Sequence, residues 1–199
     1  MEFKDIVRNR RSIRQYQSLA VREATIQELL EIIGMSVSAI NLQPWKIKVV
    51  KDQATKDEIF GATYGMNHVR TCSHLLVLCA DTDYPTLIDK LVSAQEAAGV
   101  DEEARNQMRD FATMVSSGMS PEQRLQWSKE QVHIALGNAV NGAYSLGLGA
   151  CPMTAFKPAE VAAILDLPAT LVPTAMVTVG YSAEPGAVKL RHPVDEIIV

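Results

Sequence analysis

Between Ser120 and Leu148 the sequence describes one long helix whose second half has no polar side to turn toward water. Its start is well marked. Ser120 stands at the N-cap, Pro121 supplies a preset φ at the first helical position, and Gln123 completes a capping box. The helix runs through Trp127, Gln131, Leu136 and Val140 to about Leu146. From Ile134 to Leu148 nearly every face is apolar or small, and a helix apolar all round is a buried one. Ala135, Ala139, Gly142 and Ala143 let another helix come close. The rest of the chain must therefore be arranged around this element. A dimer contact is expected of it, with the core helix of a monomer as the other reading.

The surrounding elements are of both kinds. His74 to Ala80 is a continuous apolar run, expected as a central strand buried on both faces. Pro173 to Gly180 reads as a second buried strand, and Lys46 to Val50 alternates as a strand with one buried face. Helices are expected over residues 3–9, where Phe3, Ile6 and Val7 share a face, and from Thr25 to Gly34, with Thr25 and Glu28 as a capping box. Others are expected from Thr55 to Ala62, from Glu102 to Ser116, and from Lys157-Pro158 to Leu165. Gly147 to Thr154 reads as a glycine-containing exit from the long helix. The segment 84–120 is open between ordinary packing and a mobile lid. At 199 residues, 47% of them hydrophobic and with no internal repeat, residues 1–199 are expected to form a single domain with a sizeable core.

Charge and composition exclude several classes. A net charge of −4 without a basic stripe argues against a nucleic-acid surface. No run of about 18 apolar residues is present to span a membrane. The charged start, Met1 to Asp5, has no apolar run of a secretory signal. Cys72, Cys79 and Cys151 lack CxxC spacing and read as reduced core thiols, so a cytoplasmic protein is expected. His68, His74, His133 and His192 show no metal-ligand spacing, and no metal site is expected. There is no Walker loop, no GxGxxG after a strand and no GxSxG elbow.

Two stretches carry chemistry. Arg10-Arg11-Ser12-Ile13-Arg14 packs three guanidinium groups into five residues. Such a cluster is costly to bury without an anion, and arginine matches phosphate oxygens in pairs. Taken alone, it is open between an anion grip and a solvated basic turn. Ser36 to Trp45 joins small residues, Asn41, Gln43, Pro44 and an indole. Small side chains admit a flat ligand closely, and the two amides suit the edge of a heteroaromatic ring. An ordinary loop with Asn and Pro as turn formers is the alternative. Near the C-terminus Lys189 and Arg191 are two apart and point the same way in an extended segment, as a second anion clamp or a solvated edge. The apolar end, Ile197-Ile198-Val199, is expected to lie on its own sheet or reach across to a partner subunit.

In this order the parts resemble the nitroreductase family of FMN-dependent oxidoreductases. Arg10 to Arg14 resembles the family's RRSxR/K opening. Ala39 to Trp45 resembles its SxxNxQPW motif, with Ala39 where a Ser is common. Asn67-His68-Val69-Arg70 is similar to the Asn-x-x-Lys segment ahead of the second strand. Gln131, Pro152-Met153 and Lys189-Leu190-Arg191 follow in the family's order.

The resemblance implies an α+β fold: a mixed, mainly antiparallel sheet flanked by helices around a long central helix. It also implies a domain-swapped homodimer with FMN at the interface. Arg10, Ser12, Arg14 and Arg191 would bind the phosphate and ribityl chain, and Arg11 the ring edge through its backbone. Asn67, Arg70 and Lys189 would reach the pyrimidine or ribityl side. Val37, Ser38, Ala39 and Asn41 of the other subunit would pack along the cofactor, with Gln131 nearby. Pro152, Met153, Thr154 and Ala155 would line the far face, their backbone offering a donor to the reactive ring nitrogen. No side-chain acid or base is implied, since the flavin carries the chemistry.

The implied activity is an NADH- or NADPH-dependent reduction of nitroaromatics, quinones or related small-molecule acceptors by a ping-pong hydride transfer. The alternatives on the same scaffold are ene reduction, dehalogenation or dehydrogenation, or a non-catalytic flavin-sequestering protein. Thr154 and Ala155 stand where many members have Glu and Gly, which bears on hydrogen bonding at the ring and on donor preference.

Overall fold

The computed structural model describes residues 1–199. Its elements follow the order α1 (Phe3–Asn9), α2 (Glu23–Gly34), β1 (Trp45–Val50), α3 (Gln53–Gly61), α4 (His68–Thr71), β2 (His74–Asp81), α5 (Tyr84–Ala97), α6 (Glu102–Ser117), α7 (Pro121–Ser145), β3 (Gly149–Met153), α8 (Pro158–Ile164) and β4 (Leu171–Gly180). The four strands form one antiparallel sheet in the order β1-β2-β4-β3. The sheet's neighbours are helices on both sides, so the architecture is the α+β arrangement expected.

All eight residues of β2 are buried, as its unbroken apolar run requires. Leu76, Leu78 and Ala80 face a core shared with Ile26, Leu29 and Ile33 of α2 and Val132, Ala135 and Ala139 of α7. Leu75, Val77 and Cys79 face the opposite core, with Ile59 of α3, Val69 of α4 and Val161 of α8. The period of two thus feeds two helix layers from one strand. A bulge between Leu78 and Cys79 sets Pro173 of β4 in the register, a position where a missing backbone N–H is tolerated.

Helix α7 starts as expected. The Ser120 N–H donates to Gln123 Oε1 at 2.8 Å, and Ser120 Oγ accepts from Gln123 N at 3.3 Å. Its buried stripe includes Ala135, Ala139, Gly142 and Ala143. At Gly142 the small residue is required: a Cβ would sit 2.8 Å from Ile32 Cγ2 and 3.2 Å from Leu29 Cδ1 of α2. One side of the helix stays open, with Ile134 41% exposed.

Residues 84–117 form a hairpin of α5 and α6. The Arg105–Glu96 pair at 2.6 Å and an Arg109–Asp89 pair tie its helices together. Buried Tyr84 anchors it to α7, its hydroxyl 3.0 Å from both Arg124 O and Ser128 Oγ. No helix is long and apolar enough to cross a membrane.

Four local expectations need correction. Helix α2 begins at Glu23 with no side-chain cap, and Thr25 lies in its first turn rather than at the cap. The start is set from outside the segment: Ser73 Oγ accepts from Val21 N at 2.8 Å and Val21 is buried. Helix α3 starts earlier than Thr55, because the Asp52 carboxylate accepts from Thr55 N at 2.8 Å and makes Asp52 the cap. The glycine-containing exit contains a strand. Gly147 (φ +76°) ends the helix, and Gly149 to Met153 then pairs with β4 as an edge strand, where Pro152 is admissible. The C-terminal segment does not lie on its own sheet: Leu190, Ile197 and Ile198 are exposed.

Gly142→Ala lowers stability by about 1–3 kcal/mol through overpacking against α2. Gly61→Ala, at an exposed helical position with open space, raises it by about 0.5–1 kcal/mol. Denaturant midpoints at unchanged slope check both. Burial also holds His68 and His74 below the ordinary value of 6.5. The unfolded chain therefore takes up the protons first. Stability is complete above 6.5 and falls as pH drops through the folded values. Unfolding curves at pH values straddling 6.5, above the carboxylate range, should show this loss, and His74→Gln should shrink it.

Candidate functional site

The arginine segment is laid along the free edge of β3. Ile13 N donates to Ala150 O at 3.0 Å, and Ser12 bridges Ala150 in parallel. Extended backbone alternates its side chains, and Ile13 is the one buried, 3.1 Å from where a Cβ of Gly149 would stand. The Tyr16 hydroxyl lies 2.8 Å from Ile13 O and from Thr178 Oγ1, and burial pushes its pKa up. From the far end of the chain, Glu184 accepts from Arg14 N at 2.6 Å and Gln15 N at 3.2 Å. Gly186 (φ +76°) then turns against Arg11, whose Cβ would be 2.5 Å from a Cβ there. Residues 187–191 cross the arginines, and Lys189 Nζ donates to Val7 O.

The result is a cleft of about 180 Å³ lined by Arg10, Arg11, Ser12, Arg14, Lys189 and Arg191. A second cleft of about 350 Å³, bordered by Arg8, Val140 and Asn141, adjoins it. No side-chain carboxylate pairs with any of these cations. The carboxylate of Glu184 is occupied by backbone N–H groups. Arg11 turns its guanidinium onto the carbonyls of Arg8 and Asn9, both at 2.8 Å. Arg10 Nη1 is buried with no hydrogen-bond partner. Burial, then Arg191 and Arg11, hold Arg10 below the ordinary arginine range. Burial, then Arg10, Arg11 and Arg191, lower Lys189 likewise. A cluster of mutually repelling cations with an orphaned donor suits a multiply charged anion, and arginine forks suit phosphate.

The second stretch forms a strained turn on the other side of the molecule's core. Ala39–Asn41 is a single 3₁₀ turn in which Ile40 (φ +51°) and Asn41 (φ +55°) take left-handed backbone, as does Gln43 (φ +49°). That conformation is unfavourable for non-glycine residues, most of all for β-branched Ile40. Its supports come from α7: Gln131 Oε1 accepts from Ala39 N at 2.9 Å, and Asn138 Nδ2 donates to Ser36 Oγ at 2.9 Å. Ser38 Oγ accepts from Gln43 N at 2.9 Å, and Gln43 Nε2 donates to Asn41 Oδ1 at 3.0 Å. Val37 stands out into solvent.

A third group surrounds α4. His68 Nε2 lies 3.1 Å from Met153 Sδ, and the imidazole is lowered by burial and then by the charge of Arg14. It thereby joins Met153 and the exposed Asn67 to the arginine side, with Thr154 and Ala155 exposed just beyond β3. Arg70 is directed elsewhere. Its Nε donates to Asp57 at 2.8 Å and its guanidinium stacks 5.0 Å from the Phe60 ring centroid.

One chain thus brings together Arg10, Arg11, Ser12, Arg14, Lys189 and Arg191. It holds Val37, Ser38, Ala39 and Asn41 separately, with Gln131. Gln131 and Asn141 border the two groups on the same helix and are about 15 Å apart along its axis. The roles of His68, which reads in the sequence only as a histidine without metal-ligand spacing, and of Tyr16 and Glu184 have no local signature, because each acts on a partner distant in the chain. Gln131→Leu should leave the Ala39 N–H without its acceptor. Hydrogen exchange at Ala39 should then quicken by about tenfold, as expected for a lost bond of roughly 1–1.5 kcal/mol.

Comparison with known proteins matches residues 7–181 to the model of the nitroreductase family. A Thermus thermophilus protein named NADH dehydrogenase is 36% identical over 201 residues, covering 100% of this chain and 96% of that protein. A Staphylococcus haemolyticus protein named for NAD(P)H nitroreductase activity is 26% identical, covering 89% of this chain and 87% of its own. A protein of Exiguobacterium sibiricum solved in complex with FMN superposes with a TM-score of 0.91 at 18% identity, covering 100% of this chain and 97% of that one.

Proposed function

The chain belongs to the nitroreductase family, and from that premise we propose that it is an FMN-dependent oxidoreductase that uses NADH or NADPH to reduce nitroaromatics, quinones or related electron-poor acceptors, the two substrates visiting one site in turn. The observation that carries this reading is the uncompensated cation cleft with the orphaned Nη1 of Arg10. FMN presents a dianionic phosphate that fits such a donor set. When bound, FMN supplies the hydride-accepting and hydride-donating ring.

The protein's own part is binding and orientation. Arg10, Arg14 and Arg191 grip the phosphate, with Ser12 beside them, and Arg11 offers backbone toward the ring edge. Lys189 and Asn67 serve the ribityl and pyrimidine side, where a cation favours the negative charge that reduction develops. Arg70 reaches that side only by leaving Asp57. The backbone from Pro152 to Ala155 lines the far face, and His68 holds Met153 in place there.

The working unit is a homodimer in this reading. The open side of α7 at Ile134 and the exposed Leu190, Ile197 and Ile198 need covering. A second copy would supply Val37, Ser38, Ala39 and Asn41, with Gln131, to the cleft. Three free, buried thiols suit a reducing, cytoplasmic setting. The relative named NADH dehydrogenase makes NADH the first donor to try.

The visible spectrum of the purified protein tests the proposal, recorded anaerobically before and after NADH or NADPH. A yellow protein that bleaches is the expected result. One that takes up no FMN overturns the cofactor, and one that stays yellow with both donors overturns the enzyme in favour of a flavin-binding role. Arg10→Ala should raise the Kd for FMN about 10- to 150-fold, from a lost charge-assisted bond of roughly 1.5–3 kcal/mol. Fluorescence titration of apoprotein checks this.

A further inference from the structure

A second group of cations lies at the opposite edge of the sheet. Lys46, on edge strand β1, and Lys90, on α5, converge on a notch of about 130 Å³ beside the strained turn. Asn41 and Gln43 line the same notch, over a floor that includes Leu87 and Leu91. Neither lysine makes an ion pair. The adjacent acid, Asp89, is paired with Arg109 on α6. Asn41 accepts from Gln43 through Oδ1, and its Nδ2 has no partner in the protein. Two ammonium groups and a free amide donor therefore face one small space.

Lysines on an edge strand often serve only to block sheet-to-sheet pairing, and Lys46 and Lys48 fit that description. It does not account for Lys90, which comes from a helix and meets Lys46. That approach is unfavourable without an anion. Burial and then Lys90 hold Lys46 below the ordinary lysine range, against a smaller upward pull from Asp81.

We propose that this notch is a binding site for a small anionic group, a phosphate or a carboxylate, gripped by Lys46, Lys90 and the Asn41 amide. The site rests on these residues alone. That its anion belongs to the electron donor or the acceptor rests on the proposed function, in which Asn41 also packs along FMN. The phosphates of a dinucleotide donor and the carboxylate of an acidic nitroaromatic acceptor share the required chemistry.

Competitive amine acylation of the FMN-loaded protein, read by peptide mass spectrometry, tests the site without depending on turnover. Its arms are NADPH, inorganic pyrophosphate, 4-nitrobenzoate and the neutral 4-nitrobenzamide. The exposed Lys51, paired with Glu23, is the internal reference. At least fivefold slower labelling of both Lys46 and Lys90 by one or more anions, with Lys51 and the nitrobenzamide arm unaffected, is expected. In Lys46→Gln the protection of Lys90 should disappear. Protection by NADPH and pyrophosphate assigns the notch to the donor's phosphates, and protection by 4-nitrobenzoate alone to an acidic acceptor. Equal labelling in every arm overturns the site and leaves the lysines as edge guards. A protein that bleaches with NADH yet shows no protection refutes this inference and not the proposed function.

Discussion

A strand buried on both faces dictates most of this molecule. Because β2 has no side to give to water, the sheet needs one helix layer made of α2 and α7 and another made of α3, α4 and α8. Neither face can then hold a polar site. Chemistry is displaced to the two rims of the sheet, and the charged clusters are found there. The arginine segment lies on the β3 edge, and the lysine pair converges on the β1 edge.

Counter-charge is spread unevenly over the surface. Arg70, Arg105 and Arg109 each have a carboxylate. Such pairs, each with at least one exposed partner, are worth little individually, but they neutralise the charge that would attract a ligand. Arg10, Arg14, Lys189 and Arg191 have none, and the one carboxylate close by, Glu184, is used to hold backbone. Convergence of these unpaired cations on one cleft, with Arg10 Nη1 buried and unbonded, is what distinguishes it from an ordinary basic surface. It also separates Arg70 from the neighbours with which its sequence position groups it.

Legibility in the sequence followed the range of the forces involved. The capping box of α7 and the apolar run of β2 are local, and both were readable. Strand β3 was not. Gly-Ala-Cys-Pro-Met lacks alternation and contains a proline, and it becomes a strand only because β4 offers an edge. The start of α2 is not legible locally for a similar reason, since Ser73, some fifty residues on, fixes Val21. In the site, the clustered arginines and the Asn-x-Gln-Pro-Trp turn announced themselves by residue type. The contacts that hold them do not: Glu184 beneath Arg14 carries no local signal, and Gln131, which the family resemblance places near the cofactor, shows its bond to Ala39 N only in the fold.

The crossing of residues 187–191 over the arginines brings the two ends of the chain together through like charges. The charge gathered there is sensitive to the medium, and these cations repel one another most at low ionic strength. Screening over about 8–10 Å at ordinary salt relaxes that repulsion, and a polyvalent anion held among them would offset it further. Phosphate and chloride solutions of equal pH would then not be equivalent media for this cluster.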